Sequence, residues 1–313
     1  MRRFRQLLVW CATIICLGMA NSSWAADAPS EANKGLDRDK VCTACHNESW
    51  RTPVLSIYQT KMGVRGDPRT PSCQDCHGAS EGHLKQGPGT SPDVVFKKGP
   101  FAASDDRVRI NQCISCHKGG ARTRWAGSQH PNNQVACNDC HKVHAPADPV
   151  LTRKTQTQVC FTCHREQRAD SLKISTHPIR EGKVVCSDCH NPHGSTGPSQ
   201  VKKNTINETC HQCHAEKRGP FLFEHQPVVE NCAACHAPHG SNLAPMMISR
   251  SPFLCQSCHD GPHASETPAG RNAAGNQAGF SGSPSPNVTG RGCLNCHSQI
   301  HGSNSPSGGY FQR

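Results

Sequence analysis

The chain has 313 residues and a formal net charge of +11 at pH 7. Hydrophobic residues make up 34% of it and aromatic residues only 5%, alongside 27 Gly and 23 Pro. A chain with so few large apolar side chains is not expected to build an ordinary hydrophobic core. This argues against a globular protein held together by its own side chains alone. Another group must fill the interior, and the 22 cysteines indicate which one.

The N-terminal segment resembles a secretory signal. Three arginines precede an apolar run over 7–20, and small residues follow up to Ala25. A basic start, a short apolar region and a small-residue cleavage site are typical of a signal peptide. The alternative is a membrane anchor, but the run is shorter than the roughly 20 residues that a spanning helix needs. We therefore predict a signal peptide over 1–25 and a mature chain of 26–313.

Twenty of the cysteines fall in ten copies of the pattern Cys-x-x-Cys-His, which is the attachment signature of c-type haem. The two thiols bond one porphyrin edge, so they must lie about one helical turn apart, and the histidine ligates the iron from one face. The expected thioether-forming residues are Cys42, Cys45, Cys73, Cys76, Cys113, Cys116, Cys137, Cys140, Cys160, Cys163, Cys186, Cys189, Cys210, Cys213, Cys232, Cys235, Cys255, Cys258, Cys293 and Cys296. The expected proximal iron ligands are His46, His77, His117, His141, His164, His190, His214, His236, His259 and His297.

Two other kinds of cysteine site share part of this pattern. A single Cys-x-x-Cys also occurs in zinc sites and in redox pairs, and a disulfide framework needs cysteines as well. Neither requires a histidine directly after the second cysteine. Because all ten copies have that histidine, the sequence predicts ten covalently bound haem c groups.

The remaining histidines recur at set places. Some follow a motif closely, as in "CHKVH", "CHNPH" and "CHAPH", and we call these close histidines; others lie midway between two motifs, and we call these mid-unit histidines. Two histidines on one iron make a closed, low-spin haem that suits electron transfer. The expected distal histidines are His83, His130, His144, His177, His193, His225, His239, His263 and His301.

Two further residues complete the set of candidates. His211 lies inside the seventh motif, "CHQCH", where it is pinned beside an attached cysteine, so we interpret it as a motif filler rather than a ligand. That leaves one iron without a distal histidine. The stretch from Cys42 to Cys73 has no histidine besides His46 but contains Met62, in "TKMGV". Methionine is a known axial ligand and also a common core filler, and the pattern alone leaves both roles open.

The motifs are spaced 22 to 26 residues apart between Cys113 and Cys255. Repetition at this period indicates an array rather than one globular core. The repeating unit is a pair of motifs. A loop over about 264–292, rich in Gly, Ser, Asn and Pro, is expected to be flexible. The predicted fold is a multihaem cytochrome c: one elongated, haem-packed domain of short α-helices and coil, with little or no β structure.

From Cys42 onward the chain resembles the decahaem cytochromes of outer-membrane porin–cytochrome conduits, a family that includes MtrA, MtoA, PioA and DmsE. The segments that carry the resemblance are "CHKVHAPADPVL", "CSDCHNPHGS", "CHAEKRGP", "CHAPHGSN" and "CLNCHSQIHGSNSPSG". The resemblance implies a rod-like cytochrome inside a β-barrel porin that connects the periplasm to the cell surface. Relatives usually carry His-Gly where this chain has Met62-Gly63, which favours the ligand role for Met62.

The resemblance also implies partners: an outer-membrane porin, periplasmic or inner-membrane cytochromes, and extracellular iron or a surface cytochrome. We expect no nucleic-acid partner, because about twenty haem propionates would offset the basic side chains. We expect an electron-transfer protein rather than an enzyme, located in the periplasm and associated with the outer membrane. Inward transfer, with electrons taken from ferrous iron, is preferred over outward transfer. The alternatives are a soluble periplasmic shuttle and a multihaem reductase.

Overall fold

The computed structural model describes residues 36–47, 53–97, 99–259, 293–306 and 308–311. The predicted signal peptide, 1–25, and the predicted flexible loop, about 264–292, lie outside these residues. Within the described ranges, no helix is both long enough and apolar enough to cross a lipid bilayer.

Short helices separated by coil make up the described chain. The α-helices are α1 Lys40–Thr43, α2 Cys73–His77, α3 Glu81–Gln86, α4 Asp106–Ile114, α5 Gln129–Asn132, α6 Cys137–Cys140, α7 Arg153–Phe161, α8 Arg165–Asp170, α9 Cys186–Cys189, α10 Ile206–Cys210, α11 Gln226–Glu230 and α12 Phe253–Gln256. The 3₁₀ helices are Asp37–Asp39, Val54–Gln59, Gly87–Gly89, Gly120–Arg122, Pro149–Leu151, Pro198–Gln200, Ala215–Lys217, Cys232–Ala234, Cys293–Asn295 and Gly308–Tyr310. The described residues form four isolated β-bridges and no strand. The prediction of short helices and coil is confirmed.

Odd-numbered and even-numbered motifs occupy opposite ends of their helices. The first cysteine of each odd motif lies in the last turn of α1, α4, α7, α10 or α12. Each even motif instead begins a short helix, namely α2, α6, α9 or the 3₁₀ helices Cys232–Ala234 and Cys293–Asn295. Each unit therefore has three parts in chain order. A helix ends in the odd motif, a connecting segment follows, and the even motif begins a second short helix.

Three of the even motifs carry an aspartate between their cysteines, and it caps the helix that the motif begins. Its carboxylate accepts the backbone N–H three residues earlier, which is otherwise left without a partner at a helix start. The three bonds are Ser72 to Asp75 at 2.6 Å, Ala136 to Asp139 at 2.7 Å and Val185 to Asp188 at 2.9 Å. The sequence thus fixes where these motif helices begin.

Few apolar side chains are buried. Among the described residues they are Tyr58, Val94, Ile110, Ala136, Val185 and Val201. Large apolar side chains remain exposed elsewhere, with Ile174 at 86% and Leu151 at 73%. The described part of the chain therefore lacks a core of its own, as the composition predicts, and apolar surface is left for another group to cover.

Candidate haem-binding sites

Every Cys-x-x-Cys-His motif forms a single turn of backbone. In nine motifs the N–H of the histidine donates to the carbonyl of the first cysteine at 2.9–3.1 Å, and the second motif lies within α2. This turn keeps both cysteines and the histidine within one helical turn of each other, which is the spacing that attachment to one porphyrin edge requires.

Eight of the ten predicted proximal histidines face a predicted distal histidine. In each case the two ring centres are 6.0–6.3 Å apart. The pairs, with the proximal histidine first, are His46–His83, His77–His144, His141–His193, His164–His130, His190–His239, His214–His177, His236–His301 and His259–His225.

This separation fits a metal ion held between the two rings. An imidazole nitrogen bonds a metal at about 2 Å and lies about 1 Å from its own ring centre, so rings on opposite sides of one ion have centres about 6 Å apart. The residues of these eight sites therefore fit a haem iron with an imidazole on each face.

Hydrogen bonds at Nδ1 orient several of the candidate imidazoles. Eight of the histidines donate from Nδ1 to a backbone carbonyl at 2.5–3.0 Å, which leaves Nε2 free to ligate iron. The donors and acceptors are His77 to Val94, His83 to Thr90, His130 to Pro192, His144 to Val54, His177 to Pro238, His190 to Ser199, His236 to Pro245 and His297 to Tyr310. Sequence reasoning missed these acceptors, although two of them are the prolines of "CHNPH" and "CHAPH".

His141 has a different partner from those eight histidines. Its Nδ1 lies 2.6 Å from Oδ2 of Asp148, and Oδ1 of the same carboxylate accepts the N–H of Lys142 at 3.2 Å. A carboxylate behind a ligating histidine makes the ring a stronger electron donor than a neutral carbonyl does. Nothing in the motif pattern singled out Asp148, because it lies beyond the close histidine in "CHKVHAPAD".

Burial favours the neutral form of several distal histidines. Desolvation is the main cause that lowers the pKa of His144, His193, His239 and His301 below the usual value of about 6.5. A histidine must be neutral at the ligating nitrogen to bind a metal. The environment of these four rings therefore favours the form that can hold iron at neutral pH.

The pairs follow a rule of exchange between consecutive units. A unit is an odd motif together with the next even motif. The mid-unit histidine of one unit faces the proximal histidine of the odd motif in the next unit. In return, the close histidine of that next unit faces the proximal histidine of the even motif in the preceding unit. Units two and three, three and four, and four and five each make both halves of this exchange. The pairs involved are His130–His164 with His193–His141, His177–His214 with His239–His190, and His225–His259 with His301–His236.

A tight loop holds each exchange in register. The glycine after the close histidine has a positive φ in three loops and lies against the segment that precedes the mid-unit histidine. A Cβ on these glycines would lie 2.4 Å or less from that segment. The contacts are Gly194 to Arg124, Gly240 to Asp170 and Gly302 to Phe221. Because only glycine fits this close approach, the "HGS" sequences mark the places where consecutive units meet.

Contacts between cysteines place the motifs in chain order. Within each unit the first cysteines of the two motifs interact; between units, the second cysteine of the even motif lies within electrostatic range of the second cysteine of the following odd motif. The within-unit pairs are Cys42–Cys73, Cys113–Cys137, Cys160–Cys186, Cys210–Cys232 and Cys255–Cys293. The between-unit pairs are Cys76–Cys116, Cys140–Cys163, Cys189–Cys213 and Cys235–Cys258. Each motif thus neighbours the motifs before and after it.

Four candidate residues do not enter these pairs. His117 and His297 face no imidazole among the residues that the structure describes. Met62 is half-buried after the 3₁₀ helix Val54–Gln59, and His263 lies outside the described residues. His83, rather than Met62, faces His46, so the first site takes its second histidine from the segment that follows the second motif.

His211 also has no imidazole opposite it in the described part of the chain. Its Nε2 is buried without a hydrogen-bond partner, while the proximal histidine of the same motif, His214, faces His177. Our interpretation of His211 as a motif filler stays a prediction.

The alternative cysteine sites require different arrangements. A structural zinc site needs four converging ligands, and the described residues contain no group of three or more His, Cys, Asp or Glu side chains that could hold a metal ion by themselves. All twenty motif cysteines are free rather than joined in disulfides.

Two family models match the chain. Residues 177–219 and 225–264 match the family described as a doubled CXXCH motif. Residues 73–155 match the family described as cytochrome c-type protein NrfB-like. Each of the two doubled-motif regions spans an even motif and the odd motif that follows it, and the region 73–155 spans the second to fourth motifs.

Two curated relatives extend the comparison. Cytochrome c-type protein NrfB from Escherichia coli O6:H1 is 28% identical over 155 residues, which cover 47% of this chain and 76% of that protein. Multiheme cytochrome MtrA from Shewanella baltica (strain OS185) is 44% identical over 289 residues, which cover 90% of this chain and 82% of that protein. With covalent haem c sites built from paired motifs, this chain belongs to the MtrA family of multihaem electron-transfer cytochromes.

Proposed function

We propose that this chain carries ten haem c groups and conducts electrons across the outer membrane inside a β-barrel porin. The observation that carries the proposal is the unbroken series of motif contacts, in which each of the ten motifs neighbours the next in chain order. Such a series offers a continuous path from the first motif to the tenth rather than a single pocket.

The cysteines and histidines would hold the haems in this path. In each motif the two cysteines fix one porphyrin edge, and the histidine directly after them ligates the iron. The paired histidines close both faces of eight sites, so no open position remains there for a substrate. Bound haem would supply a row of one-electron carriers between which electrons hop.

A protein sleeve is needed if the path crosses a membrane. The described chain is mostly coil, and irregular backbone is tolerated at bilayer depth only where other protein covers it. Ten sites in a row would comfortably span the roughly 40 Å of a bilayer with its headgroups. A β-barrel porin would provide that cover, and the likeness to MtrA supports such a partner. The leader-like segment over 1–25 supports export to the periplasm.

The proposed direction is inward, from extracellular ferrous iron toward periplasmic or inner-membrane cytochromes. A methionine-ligated haem near one end would raise the potential there, and Met62 belongs to the first unit. Outward transfer to ferric iron or a surface cytochrome is the alternative. Whole-cell assays of iron oxidation and iron reduction in a deletion strain distinguish the two directions.

The conduit is tested by purification from outer membranes, followed by reconstitution. We expect the chain to co-purify with a porin, and the complex in liposomes to transfer electrons between an internal dye and an external reductant. Liposomes that hold the porin alone are the control. A chain that elutes alone from the periplasmic fraction, with no porin bound, would instead support a soluble shuttle.

The enzyme alternative is tested on the purified holoprotein. Titration with cyanide and with nitrite should show no high-spin haem and no turnover if every site is closed. A site that binds either ligand stoichiometrically would favour a reductase.

A further inference from the structure

The third site lacks the imidazole partner that the exchange rule predicts. We propose that the sulfur of Met62 is the second axial ligand of the iron held by His117, which makes this one site His/Met among sites closed by imidazoles. The proposal rests on the haem-binding part of the proposed function, but not on a porin or on a direction of electron flow.

The exchange rule identifies the position that must serve His117. The proximal histidines of the fifth, seventh and ninth motifs each face the mid-unit residue of the preceding unit, at ring-centre distances of 6.0–6.2 Å. His117 belongs to the third motif, so its partner should come from the segment between the first two motifs. The first unit already receives the other half of this exchange, because His144 faces His77 at 6.3 Å.

Contacts fix which residues form the mid-unit segment of the first unit. In the repeats, the carbonyl before the close histidine accepts a hydrogen bond from the mid-unit histidine, as in His130 to Pro192 and His177 to Pro238. In the first unit the close histidine itself, His144, donates to the carbonyl of Val54 at 2.9 Å. The close-histidine loop therefore packs on the segment that begins at Val54, which is the segment that carries Met62.

That segment offers few side chains that could ligate a haem iron. Residues 47–72, between the first two motifs, contain no histidine, and Met62 is their only methionine. Methionine and histidine are the side chains that commonly complete a c-type haem iron. Met62 lies 11 residues before Cys73, a longer spacing than the 7 to 9 residues that separate each mid-unit histidine from its even motif. Because the 3₁₀ helix Val54–Gln59 precedes it, the segment follows a different path from the repeats.

A fixed turn holds the Met62 backbone. Its N–H donates to Oγ1 of Thr60 at 3.2 Å, and that hydroxyl donates to the carbonyl of Ile57 at 2.7 Å. The next residue, Gly63, is buried so closely against this carbonyl that a Cβ would lie 2.2 Å from it. The turn therefore gives the half-buried methionine a defined position, as an axial ligand needs.

The chemistry of the ligand gives the third site its own property. A thioether sulfur donates less charge to iron than an imidazole does, so it favours the reduced state and raises the reduction potential. The third site should be the first to accept an electron in a titration. Cys76 of the second motif lies within electrostatic range of Cys116, so this site adjoins the second rather than standing apart from the array.

The test uses the ten-haem holoprotein in its ferric form. Magnetic circular dichroism should show a near-infrared charge-transfer band of His/Met ligation with an intensity of about one haem in ten. Met62→His should remove the band and lower the highest potential in the redox titration. Met62→Leu should create one high-spin haem that binds one cyanide, and a crystal structure of that adduct should place the cyanide opposite His117. Met247→Leu, which alters a methionine beside the eighth motif, should leave the band intact.

A second measurement needs no variant. In the reduced wild-type protein labelled with ¹³C-methyl methionine, one methyl resonance should move far upfield because it lies over a haem ring. Absence of the band and of the shifted resonance in the wild type would overturn the proposal, as would a band that persists in Met62→His. Porin co-purification would be unaffected by either result, so failure here is distinguishable from failure of the conduit.

Discussion

The first unit and the repeated units after it solve the same packing problem with different residues. In the repeats, a glycine with a positive φ lets the close-histidine loop touch the preceding unit, and the mid-unit residue is a histidine. In the exchange between units one and two, which we call the first exchange, Ala145 follows the close histidine. Contact is made there by the ring of His144, which donates a hydrogen bond to the carbonyl of Val54. The difference teaches that the contact between units decides which histidines face each other, while the identity of the mid-unit residue would set the chemistry of a bound haem.

The largest expected effect comes from removing a mid-unit histidine from a repeat. His177→Ala should open the seventh site, convert one low-spin haem to high-spin, and allow one equivalent of cyanide to bind, because His214 then has no ring opposite it. EPR and cyanide titration measure this. His211→Ala is the matched control in the same motif, and it should leave every haem low-spin. A high-spin haem in His211→Ala, or none in His177→Ala, would contradict the pairing.

The glycine loops provide the next test. Gly240 has a φ of 142°, and a Cβ there would lie 2.1 Å from the carbonyl oxygen of Asp170. Gly240→Ala should therefore lower the free energy of unfolding by at least about 1–3 kcal/mol, through strain and overpacking. Denaturant unfolding followed by haem absorbance measures this.

The control for Gly240→Ala is a substitution at the corresponding position of the first exchange. Ala145 occupies the corresponding place without a positive φ, so Ala145→Gly should cost no more than about 1 kcal/mol, as expected for added backbone freedom alone. If Gly240→Ala and Ala145→Gly lower the free energy of unfolding equally, the close approach of the loop does not distinguish the repeats from the first exchange.

The fourth site sharpens the comparison among the even motifs. His141 donates to a carboxylate, whereas His77, His190 and His236 donate to backbone carbonyls. Asp148→Asn keeps an oxygen acceptor but removes the charge, so it should raise the potential of one haem and leave its ligation unchanged. Spectroelectrochemical titration with EPR measures this.

A matched variant for the fourth site lies in the next unit. Asp188 caps α9 and forms an ion pair with Arg153 at 2.9 Å, so its carboxylate binds a guanidinium and a backbone N–H rather than an imidazole. Asp188→Asn should leave all the potentials in place. If the redox titration curve of Asp148→Asn superimposes on that of the wild type, the charge of Asp148 does not affect the haem potentials.

The smallest effect concerns the stability of the first unit. The hydroxyl of Tyr58 donates to the buried carboxylate of Asp39, which also accepts the N–H of Cys73 at 3.0 Å. Tyr58→Phe removes one of these bonds and should cost about 1–3 kcal/mol of unfolding free energy. Tyr310→Phe is the control, because Tyr310 is 76% exposed and its loss should change stability little.

The same tyrosine gives the first unit a pH dependence. Burial, and secondarily Asp39, raise the pKa of Tyr58 above its ordinary value of about 10. The folded chain therefore holds this proton more tightly than the unfolded chain does. Its stabilising contribution is complete below about pH 10 and is lost as the pH rises above that value. Thermal unfolding measured at several alkaline pH values should show this loss in the wild type and not in Tyr58→Phe.

The motif pattern predicted the single helical turn of each motif and the short helices because both depend on local sequence. The turn from Cys186 to His190 needs only its own residues and the cap from Asp188. The pairing of His77 with His144 could not be predicted, because it joins different units across the long stretch that separates them. Asp148 was missed for a similar reason, since its role depends on how the loop folds back on His141.

The central claim is that haem groups, held between paired histidines, form the interior of this protein. The direct test is circular dichroism and small-angle scattering of the chain expressed where haem cannot be attached, compared with the exported holoprotein. The account predicts an expanded, unfolded chain, because few of the described apolar side chains are buried without the cofactor. A compact, colourless and helical product would contradict it.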